Sequence, residues 1–134
     1  MPAAFIAGLA HIPDTTGRLL MLKTEDGGWR LPGGPALPEE TARHAVAYHV
    51  RRALQIRIMP RFLLGVEPSD GFTTYLFACD PLSADDIARI KLPSASSDIT
   101  AFAFVDYPGI AEGGVADHEH RLIVEANDAF KGTD

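Results

Sequence analysis

The chain has 134 residues, of which 46% are hydrophobic and 22% are charged, and its formal net charge is -6. This predicts a single globular domain, residues 1–134, and argues against non-specific nucleic-acid binding, which needs a broad basic face. The single cysteine, Cys79, excludes an intramolecular disulfide framework. The apolar first residues have no basic leader and are too short to span a bilayer, so we expect a cytoplasmic protein without membrane contact.

The first half of the chain predicts strands followed by one amphipathic helix. Strands are expected at residues 3–12 and 18–23, with a short pairing segment at 29–31. The sequence PGGP, residues 32–35, is expected to interrupt regular structure. A helix is predicted over residues 39–54, because Pro38 suits a first helical turn and Glu39 and Glu40 suit the positive end of the helix dipole. Its apolar stripe consists of Ala42, Ala45, Val46, Val50, Ala53 and Leu54.

The second half predicts more strands and two further helices. Strands are expected at 56–67 and 72–79, joined by a turn at 68–71, and a buried strand is expected at 99–107. Ser83 and Asp86 have the spacing of a capping box for a short helix that reaches about residue 91. Asp117 is expected to cap a last helix, whose apolar face contains Leu122, Ile123, Ala126 and Phe130. The order of these elements predicts a mixed α/β domain.

The segment that begins at Gly34 resembles the signature of the Nudix hydrolases. That signature has a glycine, five residues, a glutamate and seven residues before its Arg-Glu pair. Gly34 and Glu40 fit the first two fixed positions, and Val50 and Ile56 fit the later apolar positions. The preceding GGWRLPGG and the final FAFVDYPGI are also similar to the family. The resemblance implies an α/β/α sandwich with a mixed β-sheet.

The same segment departs from the signature where the family has its acids. Tyr48-His49 replaces Arg-Glu, Arg52-Ala53 replaces Glu-Glu, and Gln55 replaces a glycine. The resemblance implies glutamates that bind Mg²⁺ or Mn²⁺, and positions 49, 52 and 53 share one helix face. Hard divalent cations need several oxygen ligands close together. The sequence therefore predicts a Nudix fold with lost or impaired hydrolysis.

Five residues are candidates for binding a ligand at this segment: Gly33, Gly34, Glu40, His49 and Arg52. Glu40 is the candidate catalytic residue, and Glu39 and Glu40 are the candidate metal ligands. Each has a simpler interpretation. The glycines suit a tight turn, Glu40 can contact His44 at i, i+4, and Arg51 and Arg52 can lie on a solvated helix face. Arg52 is the better phosphate contact, because Arg51 is expected to point away.

Three functions remain open at this point. The first is metal-independent binding of a phosphorylated small molecule, such as a nucleotide, with no cofactor. The second is a pyrophosphohydrolase of nucleoside diphosphate-linked substrates, in which Mg²⁺ or Mn²⁺ is held by loop acids, for which the candidates are Glu67, Asp70, Asp98 and Glu112. The third is a non-catalytic interaction domain, for example in a homodimer. Cys79 is expected to be a buried thiol, and His118 and His120 surface residues.

Overall fold

A computed structural model describes residues 5–69, 71–92, 99–106, 119, 121–124 and 126. Within them the first strands are β1 (Phe5–His11), β2 (Leu19–Thr24), β3 (Trp29–Arg30) and β4 (Gly33–Pro35). Helix α1 (Ala42–Leu54), strands β5 (Pro60–Ser69) and β6 (Phe72–Cys79), helix α2 (Ala84–Ala88) and strand β7 (Ile99–Val105) follow. Residues 119, 121–124 and 126 are helical as well. This order confirms the predicted mixed α/β fold.

The strands form two sheets. The four-stranded sheet has the order β4-β1-β6-β5, and the three-stranded sheet has the order β3-β2-β7. In the larger sheet β1 pairs parallel with β6 and antiparallel with β4, so this sheet is mixed, as the resemblance implied. The smaller sheet is antiparallel throughout.

Apolar side chains on alternate strand residues build two separate cores, because successive side chains of a strand point to opposite faces. The first core joins the strands to α1, and its members include Ile12, Leu20, Leu22, Val46, Val50 and Leu54. The second joins the strands to the helical residues near the C-terminus, and its members include Leu9, Met21, Leu76, Leu122 and Ile123. Helical segments therefore cover both faces, which confirms the predicted layering.

Helix α1 begins three residues later than predicted. Thr41 is the N-cap: its backbone is extended, and its hydroxyl accepts a hydrogen bond from the His44 backbone N–H at 3.1 Å. Pro38, Glu39 and Glu40 consequently precede the helix, so the helix-dipole argument for the two glutamates was wrong. The helix begins after Thr41 and not at Pro38, because the Thr41 hydroxyl accepts a hydrogen bond from a free backbone N–H of the first turn and the Pro38 side chain has no acceptor.

Helix α1 ends at a residue with left-handed backbone geometry. Gln55 has φ 58° and ψ 30°, and its N–H donates to the Arg51 carbonyl at 2.9 Å. The Nudix signature has a glycine at this position, and glycine adopts such a conformation without strain. Gln55 keeps the helix stop while replacing that glycine, and its side-chain amide donates to the Lys91 carbonyl at 3.3 Å.

The sequence misplaced several other boundaries. The PGGP segment forms β4 instead of interrupting regular structure, β5 begins at Pro60 and continues to Ser69, and α2 ends at Ala88. The capping box of Ser83 and Asp86 and the bounds of β6 are confirmed. Asp117, His118, His120 and Phe130 lie outside the described residues. No helix in the described ranges is long and apolar enough to cross a bilayer.

A glycine in β1 sets how closely α1 approaches the sheet. A Cβ at Gly8 would lie 2.2 Å from the Ala42 carbonyl oxygen and 2.6 Å from a methyl carbon of Val46. The first turn of α1 therefore rests directly on the β1 backbone. This close packing places the following turns of α1 beside β4, where the candidate site lies.

Candidate functional site

The Gly33-Gly34 pair is built into the sheet. Gly33 pairs with Leu9, and Gly34 pairs with Gly8, in the antiparallel ladder of β4 and β1. Gly33 has φ +134°, and a Cβ there would lie 2.1 Å from the Gly8 carbonyl oxygen. Strand pairing at this distance excludes any side chain, so Gly33 has a structural reason to be glycine whether or not it also contacts a ligand.

Gly34 makes room for the His49 ring. A Cβ at Gly34 would lie 2.8 to 2.9 Å from three atoms of that ring, so the imidazole packs on the glycine backbone. His49 Nε2 lies 2.8 Å from the Pro35 carbonyl oxygen. Since a carbonyl only accepts, Nε2 must carry the proton in this bond. His49 thus fastens the middle of α1 to β4.

Glu40 closes a turn in front of α1. Its Oε1 accepts a hydrogen bond from the Leu37 N–H at 2.8 Å, and its own N–H donates to the Leu37 carbonyl at 2.8 Å. Its Oε2 lies 2.9 Å from His44 Nε2, which confirms the expected i, i+4 contact. Both carboxylate oxygens are therefore already bonded locally. Glu39 is exposed.

Arg52 extends along the outside of α1 toward Tyr48. One guanidinium nitrogen donates to the Tyr48 hydroxyl at 3.0 Å, and the guanidinium carbon lies 5.8 Å from the centre of the Tyr48 ring. The Tyr48 and His49 rings are in edge contact, with centroids 5.3 Å apart. Ala53 packs against the first core. Positions 49, 52 and 53 thus have three different surroundings: the β4 backbone, a surface tyrosine and the core.

Solved structures match this chain over most of its length. The MutT protein from Methanosarcina mazei Go1 matches with a TM-score of 0.75 at 20% identity, covering 96% of each chain. A Nudix hydrolase from Nitrosomonas europaea matches with a TM-score of 0.73 at 16% identity, covering 92% of this chain and 88% of that chain. The chain has a Nudix fold.

An ADP-ribose pyrophosphatase from Streptococcus suis 89-1591 matches as well, with a TM-score of 0.69 at 17% identity, covering 93% of this chain and 92% of that chain. No protein-family model matches the sequence, and no curated protein matches it either. At these identities the likeness establishes the Nudix fold alone.

The residues at the Nudix signature do not fit a divalent metal ion. Mg²⁺ and Mn²⁺ bind to clustered carboxylate and carbonyl oxygens. Here the three signature positions on α1 hold His49, Arg52 and Ala53. The Nε2–H of His49 is already donated to the Pro35 carbonyl oxygen. The carboxylate of Glu40 is bonded to Leu37 and His44. Among the described residues, no group of three His, Cys, Asp or Glu side chains is arranged to hold a metal ion.

One of the four acids named as candidate replacement ligands lies in the described part of the chain. Glu67, in β5, accepts hydrogen bonds from Arg121, with nitrogen–oxygen distances of 2.6 and 2.7 Å, and its side chain is 16% exposed. That carboxylate is committed to a cation, so it ties β5 to the C-terminal helical residues. Asp70, Asp98 and Glu112 lie outside the described residues.

A buried carboxylate that the sequence did not single out lies beside the glycine segment. Glu119 is 8% exposed, and its Oε1 accepts a hydrogen bond from the Leu31 N–H at 2.6 Å. The spacing of the apolar residues that follow Glu119 indicates that it lies on a buried helix face. Leu122, Ile123 and Ala126 follow at i+3, i+4 and i+7, so Glu119 belongs to the buried face of that helix. Its bond to Leu31 fixes the chain two residues before Gly33.

Cys79 is buried at the end of β6, as predicted. Burial in the first core raises the pKa of its thiol to about 12. The thiol is therefore protonated at neutral pH. Since the thiolate is the nucleophilic form, Cys79 serves as a core residue and not as a nucleophile.

Proposed function

We propose that this Nudix-fold protein is a single domain, residues 1–134, that binds a phosphorylated small molecule without a metal ion and with hydrolysis lost or impaired. The observation that carries this proposal is the position of the His49 ring. It lies on Gly34 and is hydrogen bonded to Pro35, on the helix face where the resemblance implies a metal-binding glutamate. An imidazole that donates its Nε2–H to a carbonyl does not supply the negatively charged oxygen ligand that Mg²⁺ requires.

Arg52 is the proposed phosphate contact. Its guanidinium is exposed, and Tyr48 is its single hydrogen-bond acceptor among the described residues. A guanidinium carries five N–H donors, so several remain for a phosphate group. Arginine binds phosphate through two parallel charge-assisted hydrogen bonds, which need no bridging metal ion. The contact with Tyr48 limits the conformations of a long side chain before the ligand arrives.

A nucleotide is the proposed ligand class. An ADP-ribose pyrophosphatase is among the structures that share this fold, and its name gives it a nucleoside diphosphate substrate. This support is an analogy at the level of the fold, and the exposed Arg52 guanidinium is the support from the site itself. The hydrolase alternative has less support, because Glu67 is engaged by Arg121 and Glu40 by His44.

Binding of ADP in the presence of EDTA tests this function. We expect calorimetry to detect binding to the wild-type protein, with an affinity that falls as salt rises, because exposed charges are screened. Arg52→Ala should weaken binding about tenfold, which corresponds to one charge-assisted contact.

Arg89→Ala is the matched control, since Arg89 is an exposed arginine at the end of α2. It should bind ADP as the wild type does. Equal affinity of Arg52→Ala and the wild type, or no binding to either, would contradict the proposal. A requirement for added Mg²⁺ would favour the hydrolase alternative.

A further inference from the structure

A groove lies along the outer side of α1, between this helix and residues 57–59. The helix contributes His44, Ala47, Tyr48 and Arg51 to its wall, at the i, i+3, i+4 and i+7 spacing of one helix face. Its volume is about 470 Å³. Small-molecule sites typically measure about 300–1,000 Å³. Neither Arg52 nor the glycine segment lines this groove, but Tyr48, which accepts a hydrogen bond from Arg52, does, so the groove adjoins the candidate site described above.

Two arginines give the groove a positive charge. Arg51 and Arg57 both line it, and neither guanidinium group makes a hydrogen bond or an ion pair with a described residue. His44 differs, because its imidazole is bonded to Glu40. Two unopposed guanidinium groups in a chain of net charge -6 attract an anion, and their planar forks suit a phosphate or a carboxylate.

Two acids that share a second cleft with Arg57 have partners of their own. Arg57 also borders a second cleft, of about 340 Å³, that Asp80 and Asp86 line. Asp80 is bonded to Arg61 at 2.6 Å, and Asp86 accepts hydrogen bonds from Ser83. Both carboxylates are therefore bonded to other residues, and the N–H donors of the Arg57 guanidinium remain available for a ligand.

The rest of the wall is apolar. Tyr48 and Met59 are 45% and 59% exposed, and Ile58 packs against the first core. An exposed aromatic ring offers a flat face for stacking, and methionine adapts its shape to the bound group. The groove thus combines two oxyanion donors with a flat apolar surface.

We propose that this groove binds a small molecule in which an oxyanion is attached to a planar apolar group. The oxyanion lies between Arg51 and Arg57, and the planar group lies against Tyr48 and Met59. Arg51, which the sequence suggested would point away from any ligand, is in this arrangement a principal contact. The proposal does not depend on phosphate binding at Arg52.

The test uses 2-naphthyl phosphate and 2-naphthoate as probes, with calorimetry for affinity and the NMR signal of the Met59 methyl group for position. At least one probe should bind the wild type and shift that signal. Arg51→Ala and Arg57→Ala should each weaken binding about tenfold. Tyr48→Ala should weaken it too, whereas Tyr48→Phe, which keeps the ring, should not. The tighter of the two probes shows whether the natural oxyanion is a phosphate or a carboxylate.

Two controls separate this site from a general attraction of anions. Arg89→Ala should leave the affinity for both probes unchanged, and inorganic phosphate should bind at least tenfold more weakly than the better probe, because it lacks the apolar group. The proposal is overturned if neither probe binds, if Arg51→Ala binds as tightly as the wild type, or if inorganic phosphate matches the probes. An effect of Arg52→Ala on ADP with none of Arg51→Ala on the probes would support the proposed function and reject this groove.

Discussion

Lowering the pH from 6.5 to 4 should reduce the free energy of unfolding by about 3 kcal/mol through His11. This side chain is 5% exposed, near the end of β1, and its burial lowers the pKa from 6.5 to about 4. Between these two values the unfolded chain binds a proton that the folded chain does not bind. The stabilisation is therefore fully present above pH 6.5, is lost as the pH falls, and declines no further once the folded protein is protonated below about pH 4.

Urea unfolding at a series of pH values between 7 and 4 measures this loss. His11→Leu should flatten the curve in that window, whatever its effect on stability at pH 7. His44→Ala is the matched control, since it removes an exposed histidine and leaves His11 in place. Asp80 contributes in another window, because its hydrogen bonds with Arg61 lower its pKa below 3.8, so that its stabilisation is lost in stronger acid. Equal pH dependence of His11→Leu and the wild type between pH 6.5 and 4 would contradict the prediction.

Gly34→Ala should destabilise the protein by about 2 kcal/mol, because the new methyl group collides with the His49 ring. The collision is with a side chain, so removing that side chain should relieve it. His49→Ala alone should cost about 1 kcal/mol, since it leaves the Pro35 carbonyl without this donor. In the His49→Ala background, the added cost of Gly34→Ala should fall by about 1 kcal/mol or more.

A double-mutant cycle followed by thermal or urea unfolding measures this coupling. Gly28→Ala is the matched control: its methyl group would approach Asp26 and Thr24, and no atom of His49 is among its nearest neighbours. Its effect should be the same in both backgrounds. Additive costs of Gly34→Ala and His49→Ala would mean that the ring does not lie on Gly34.

The sequence was sufficient for most of the fold because the apolar periods are regular. The apolar stripe on α1 identified the buried face of that helix, and the strand predicted at 72–79 has the bounds of β6. The prediction was wrong at the glycine segment, where two glycines between prolines indicated a turn and the structure has a strand. Strand pairing there depends on a distant partner, since the Gly33 backbone approaches that of Gly8, and such an approach is not encoded in the local sequence.

The candidate site was less predictable, because side-chain direction depends on what each residue finds across the fold. Spacing placed His49, Arg52 and Ala53 on one face of α1, yet these residues contact β4, Tyr48 and the first core, respectively. The Glu40 to His44 contact was predictable because it is local. The groove of Arg51 and Arg57 was not, because it requires the chain after α1 to turn back along the helix.

We propose that the Nudix scaffold here has no family-type metal centre, and titration with Mn²⁺ at neutral pH tests this most directly. Calorimetry on the wild type and on Glu40→Gln should detect no site tighter than the millimolar range in either protein, because the surviving carboxylate is bonded to Leu37 and His44. A micromolar Mn²⁺ site in the wild type that disappears in Glu40→Gln would contradict this proposal.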